Sequence, residues 1–159
     1  MKTLCMAALL VSALLLIAAG PAQSSSAPFS LTIAAVQTEV RAGSEVRLDL
    51  TITNNSNRMV MIALTTPMCD YEVEVRDSAG NLAPDTELKS KSDCAHRATG
   101  RAILCHLRPH SSQKDTVPVT WFSDMSKPGK YTVQVTWKAP QEFGSVAIKS
   151  NIVTITVTE

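Results

Sequence analysis

The chain has 159 residues, 45% of them hydrophobic but only 4% aromatic, with 15 Lys and Arg set against 14 Asp and Glu. That length suits one domain with a core of its own, and the apolar fraction excludes wholesale disorder. The near-zero charge balance argues against a dedicated nucleic-acid binder, which shows a marked basic excess, and no glycine-rich phosphate loop or nucleophile elbow appears.

The first element is an export signal. Lys2 precedes an apolar run from Leu4 to Ala19, and Gly20-Pro21-Ala22 puts small residues where a signal peptidase reads. Residues 1–22 are expected to be removed by a cut after Ala22, with Ala27 as the second choice. A spanning helix needs about 20 apolar residues, and Cys5 stands at the wrong end of the run for a lipid anchor. The processed chain is therefore expected to be exported, periplasmic or secreted, with no stable membrane insertion. Residues 23–28 form a short flexible segment, and 29–159 form the folded domain.

From Phe29 onward the chain alternates with a period of two. Phe29, Leu31 and Ile33 interleave with Ser30 and Thr32, and Val46, Leu48, Leu50 and Ile52 interleave with Arg47, Asp49, Thr51 and Thr53. A helix would scatter those charges around every face, whereas a strand gathers the apolar groups on one side. Asn54-Asn55-Ser56-Asn57 reads as a turn, because Asn tolerates positive φ and bonds its own backbone. Met59 to Leu64 is nearly all apolar, which predicts a strand covered on both faces and closed by Pro67. Tyr71, Val73 and Val75 alternate with Glu72, Glu74 and Arg76 ahead of a turn at 77–81. Ile103 to Leu107 and Val117 to Phe122 are further strands, the second with Pro118 near its start, where a proline marks an edge or a strand beginning. Pro128-Gly129 turns the chain into Tyr131, Val133, Val135 and Trp137, and Val153, Ile155 and Val157 close it. Trp137 is expected in the core, and one of Trp121 and Phe122 is expected outside it. No window of ten residues supports an amphipathic helix. These patterns predict an all-β fold: a two-sheet antiparallel sandwich of seven to eight strands, immunoglobulin-like, with a long insertion loop at about 82–102.

The run Val46-Arg-Leu-Asp-Leu-Thr-Ile-Thr-Asn-Asn-Ser56, the hairpin Tyr71-Glu-Val-Glu-Val-Arg-Asp-Ser-Ala-Gly80 and the segment Lys127-Pro-Gly-Lys-Tyr-Thr-Val-Gln-Val135 resemble bacterial extracytoplasmic immunoglobulin-like domains. The same order is similar to that of the BsuPI-type proteinase-inhibitor domain over residues 40–137. The resemblance implies the sandwich and, as one alternative for activity, proteinase inhibition. It brings no inhibitory residues with it.

Three cysteines remain after processing, and an oxidising compartment makes a disulfide the default. Cys94 and Cys105 flank a ten-residue polar segment, so Cys94–Cys105 is the leading pair, with Cys69 bonded to either as the alternative. The competing use of the same region is a zinc or copper site from Cys94, His96, Cys105, His106 and His110. Against it stand the missing Cys-x-x-Cys pair and the opposite faces that Cys105 and His106 take in a strand. Met59, Met61 and Met68 read as core filler rather than as copper ligands. Asn54-Asn55-Ser56 also matches a glycosylation acceptor.

Charge is unevenly spread: residues 88–114 carry six basic groups and one acidic one. Lys89, Lys91, His96, Arg97 and Arg101 are the candidate binding loop, able to steer an anionic partner, unless the loop faces the acidic segment of the same molecule. No residue pattern marks a catalytic, cofactor or metal site. The function expected from sequence is a non-enzymatic binding module with a protein or cell-envelope polymer as its partner and no cofactor, working through loops at one end of the sandwich.

Overall fold

The computed structural model describes residues 27–94 and 102–159. The export signal lies outside the described residues, as do His96, Arg97 and Arg101 of the candidate loop.

Ten strands stand among the described residues, two or three more than the alternation gives. They are β1 (Phe29–Ala35), β2 (Glu39–Arg41), β3 (Arg47–Asn54), β4 (Val60–Leu64), β5 (Tyr71–Arg76), β6 (Ile103–Leu107), β7 (Ser112–Pro118), β8 (Gly129–Lys138), β9 (Ala147–Lys149) and β10 (Val153–Thr158). Two short helices join them, α1 (Pro67–Asp70) and α2 (Glu87–Ser90). One sheet runs β1-β3-β7, and the other runs β2-β10-β8-β5 with β9 also on β8. All pairings are antiparallel except β2 with β10. The result is the expected two-sheet, immunoglobulin-like sandwich.

Alternate residues of each strand fill the space between the sheets, with Leu48, Leu50 and Ile52 of β3 facing Val133 and Val135 of β8 and Ile155 of β10. Phe29 meets Trp137 edge to face across the core at 5.3 Å, and Phe143 packs on the other side of Phe29 at 4.9 Å. Trp137 is buried, as its strand position predicts. Phe122 is buried and Trp121 is exposed, but neither lies in a strand. β7 ends at Pro118, and residues 119–121 form a single 3-10 turn, correcting the strand expected over Val117–Phe122.

Two side chains pin one sheet to the other. At one seam the Tyr71 hydroxyl on β5 donates to Asp115 Oδ2 on β7 at 2.8 Å. At the opposite seam Asn151, in the bulge between β9 and β10, pairs with the backbone of Ile33: Oδ1 accepts the Ile33 N–H at 2.9 Å and Nδ2 donates to its carbonyl at 3.0 Å. That amide occupies the place a neighbouring strand would take along β1. At the far end of the sandwich, Asp77 Oδ1 accepts from the backbone of Ala79 and Asn81, both at 2.9 Å. Gly80 completes this turn at φ +83°, a conformation other residues enter only with strain.

Candidate functional site

The site is built where β3 and β7 stop pairing. β4 and β6 continue the same two chain segments as a separate two-stranded ribbon, Val60 opposite Leu107 and Leu64 opposite Ile103. Six residues, 54–59, intervene on one side and four, 108–111, on the other, so the ladder must break and turn. Asn54 holds the break. Its Nδ2 donates to the carbonyls of Arg58 at 2.8 Å, Leu107 at 3.1 Å and Arg108 at 3.1 Å. Its Oδ1 accepts from the Ser56 N–H at 3.0 Å and the Ser56 hydroxyl at 2.7 Å. The Asn54 N–H donates to Ser111 O and its carbonyl accepts from the His110 N–H. His110 takes φ +58° to close the opposing turn, and its Nε2 lies 3.2 Å from Asn57 Oδ1. The residues expected to form a plain surface turn thus include a fully buried hub. With Nδ2 committed inside, Asn54 offers no glycosylation acceptor in the folded domain.

The ribbon has two unlike faces. Val60, Ile62, Leu64 and Leu107 point into the core, and Cys105, opposite Ile62, is partly buried with them. Met61, Ala63, Leu104 and His106 point outward, where Met61 is 52% and Leu104 56% exposed; Met59, just before β4, is 62% exposed. β4 is therefore covered on one face only, which corrects the expectation of a strand buried on both. Met59 and Met61 are not core filler; Met68 is, partly buried against the core. Arg58 stacks its guanidinium over Phe143 at 4.4 Å at the foot of the ribbon. Arg108 and His106 are also exposed there. The other end of the outward face, at Ala63, borders a recess of about 280 Å³ with Asp70, Glu72 and Lys138 around it.

The cysteines pair differently from the leading expectation. The disulfide joins Cys69 to Cys94, with Cα atoms 5.4 Å apart, and Cys105 is free. The reason is the path of residues 77–94. This segment leaves the end of β5, touches it again through the Ala83 N–H on Val75 O at 2.9 Å, and returns beside α1, where Cys94 Sγ lies 3.7 Å from the Met68 carbonyl. Cys105 meanwhile turns inward on β6. The metal set named from sequence is dispersed: Cys94 is in the disulfide, Cys105 and His106 occupy opposite faces of β6, and His110 turns to Asn57.

Of the basic loop, Lys89 and Lys91 are described, and both are neutralised locally. Lys89 Nζ meets Asp85 at 2.7 Å and Lys91 Nζ meets Glu87, each one helical turn back. Such exposed pairs are worth little in stability; they set an acidic group beside each of two cations offered for steering. The acidic partners, Asp85 and Glu87, lie just ahead of the basic stretch.

Beside the ribbon, polar groups are packed tightly. Asp70, the last residue of α1, accepts from the Thr65 N–H at 2.6 Å and the Thr65 hydroxyl at 2.8 Å. Partial burial pushes its carboxyl above the usual range against those two bonds, with the Asp115 charge adding to the rise. Burial, then the bond to Asp115, also drives the Tyr71 phenol far above its ordinary value. A raised native pKa means that, above about pH 4, the folded state keeps a proton the unfolded chain has already released, so stability falls as pH rises through that interval. Asp70→Asn should remove this fall. Plotted from urea midpoints between acid and neutral pH, the difference mutant minus wild type should climb with pH, and a flat difference would show that Asp70 has no raised native pKa.

At the opposite end of the sandwich a recess of about 510 Å³ opens between Glu45, Asp85, Glu87 and Asp124, with Ser44 and Ser126 on its rim. Arg47 meets Glu45 at 2.6 Å, and Asp124 Oδ1 accepts the Ser126 N–H. Hydrogen bonds from Ser126 hold the Asp124 carboxyl below the usual carboxylate range. Trp121, 42% exposed, stands on this end of the molecule. Among the described residues no group of three or more His, Cys, Asp or Glu side chains has metal-binding geometry, and no helix is long and apolar enough to cross a membrane.

No family model matches the chain, and no curated protein does. Among solved structures it is similar to the CARDB domain of the PF1109 protein from Pyrococcus furiosus, solved in complex with di-metal ions. The identity there is 13%, over 81% of this chain and 91% of that one, with a TM-score of 0.43. It is also similar to the β-glucosidase of Listeria innocua in complex with glucose (14% identity, 82% of this chain, TM-score 0.45) and to the β-glucosidase EmGH1 of Erythrobacter marinus (13%, 82%, TM-score 0.43). The chain spans only 16% and 15% of those two enzymes. None of these likenesses carries a ligand, substrate or residue role to this chain.

Proposed function

We propose that this chain is an exported, non-enzymatic binding module that holds a partner against the ribbon end of its sandwich. The observation that carries this reading is the outward face of β4 and β6. A strand with solvent on one side ordinarily sets polar groups there, as β5 does with Glu72 and Glu74 and β8 with Thr132 and Gln134. The ribbon sets Met61, Ala63 and Leu104 there instead, with Met59 beside them. Contiguous exposed apolar side chains on a rigid support mark interaction surfaces, and the Asn54 hub makes this support rigid. The surface lies at one end of the sandwich, with Leu104 just beyond the 82–102 segment, but it is apolar where the sequence favoured a cationic loop.

The disulfide supports export, because such bonds persist in oxidising compartments. The chemistry of the thiols and imidazoles supports a non-enzymatic reading: Cys69 and Cys94 are bonded to each other, and Cys105 faces away from His106.

A photo-reactive residue placed at Met61 in the producing cell tests the reading. It should form adducts with a body outside the chain, whether protein, polymer or lipid. The same probe at Thr132, exposed on the face of β8, should form far fewer. Equal yields at the two positions would overturn the assignment of the ribbon as the binding face.

A further inference from the structure

We propose that the Met59–Met61 face of the ribbon docks on an anionic lipid surface. This names the partner for the binding face inferred above and rests on that reading. Three observations point to lipid.

The first is chemistry. The outward face offers Met59, Met61 and Leu104 to the surroundings, flexible apolar groups that suit an acyl boundary rather than a polar glycan. The second is charge. Arg58 and Arg108 are exposed at the foot of these side chains, and no Asp or Glu occurs in residues 54–64 or 102–111. Apolar side chains with two arginines at their foot fit an interface rich in phosphate headgroups, while the acidic Asp70 and Glu72 stand at the other end, around the recess at Ala63. The two arginines disfavour a second copy of the chain paired foot to foot, because that would bring like charges together in a drying interface.

The third is where the chain enters the fold. The Asn55 N–H donates to Pro28 O at 2.8 Å and Asn55 Nδ2 donates to Ala27 O at 3.3 Å. Residue 27 is therefore tied to the foot of the ribbon, one position from the Asn54 hub. The apolar run 4–19 precedes it by eight residues, a reach of at most about 30 Å. An apolar run held in a bilayer during export would bring this end of the domain nearest to it. An acidic protein would satisfy the charge argument but not this placement.

The test uses residues 23–159 with the disulfide intact. The protein is sedimented with vesicles of phosphatidylcholine alone, and with vesicles containing about one third phosphatidylglycerol. It should pellet several-fold more with the anionic vesicles, and added salt should weaken that binding. Met61→Glu and Leu104→Glu should each cut the partition by about tenfold. Leu82→Glu, at an exposed apolar position away from the ribbon, should leave it unchanged. Both ribbon positions are solvent-facing, and an unchanged thermal transition confirms that each variant folds.

Absence of anionic-vesicle binding by the wild type, or equal binding by Met61→Glu, overturns the lipid assignment. If that happens while the probe at position 61 captures a protein, the binding face stands and only its partner changes. If the probe captures nothing either, both readings fall.

Discussion

Replacing Asn54 with alanine should cost the domain about 3–4 kcal/mol, among the largest losses available from one polar side chain. The alanine leaves the carbonyls of Arg58, Leu107 and Arg108 without the donor they share, and the Ser56 N–H without its acceptor. These groups surround a fully buried position, so water cannot easily replace the amide, and each orphaned group carries a desolvation penalty. For a domain of this size the melting temperature should drop by about 10–15 °C. Asn54→Asp should do at least as much harm, because it keeps the shape but aims a carboxylate at three carbonyl oxygens. Asn55→Ala, one residue on, removes a single side-chain bond at the surface and should stay within about 0.5–1 kcal/mol. Urea unfolding of the three variants makes the comparison. A loss below about 1 kcal/mol for Asn54→Ala would mean that the break between β3 and β4 is held by backbone alone.

The second large effect belongs to the disulfide. Cys69 and Cys94 are 25 residues apart, and closing a loop of that length withdraws about 3 kcal/mol of chain entropy from the unfolded state. The double replacement Cys69→Ser/Cys94→Ser should lower stability by about that amount, with a transition about 10 °C earlier. Cys105→Ser should leave the bridge in place and the stability within about 1–1.5 kcal/mol, the cost of altering one partly buried small side chain. Alkylation before and after reduction separates the two pairings directly. One free thiol at Cys105 in the native protein supports Cys69–Cys94; a free Cys69 would restore the bridge expected from sequence.

Much of the fold was legible because alternation is a local signal. β5 and β6 were read to the residue, since each places apolar side chains at every second position or is bounded by polar turns. β2 and β9, three residues each, are too short for a period of two to show. β7 was hidden for a different reason. Its inward positions include Gln113 and Asp115 rather than aliphatic residues, and Asp115 is the partner of the Tyr71 hydroxyl, so the apolar pattern fails where the inter-sheet bond lies. The 3-10 turn that follows, with buried Val119 and Phe122, then imitates the strand that β7 should have shown.

The site was less legible because its decisive contacts are distant in sequence. Asn54 reads as a turn residue, and it is one, but its grip on Leu107 and Arg108 spans 53 and 54 residues. The disulfide depends on how residues 77–94 return along the molecule, which no local pattern encodes. The apolar content of Met59 to Leu64 was visible. That Met59 and Met61 face outward depends on β6 being the one strand paired with β4 among the described residues, with no second layer beyond it there.

The parallel pairing of β2 with β10 has a mechanical consequence. Thr156, Val157 and Thr158 lie beside Glu39, Val40 and Arg41 in the same direction, while β1 and the end of β10 leave the fold at opposite ends. Tension applied between the two ends of the chain would slide β2 and β10 past each other, loading their hydrogen bonds together instead of unzipping them one by one. The Asn151 clamp on Ile33 stands in series with that seam. Resistance to forced extension is set by the unfolding barrier rather than by equilibrium stability, so this geometry resists stretching in a way that a melting temperature would not reveal.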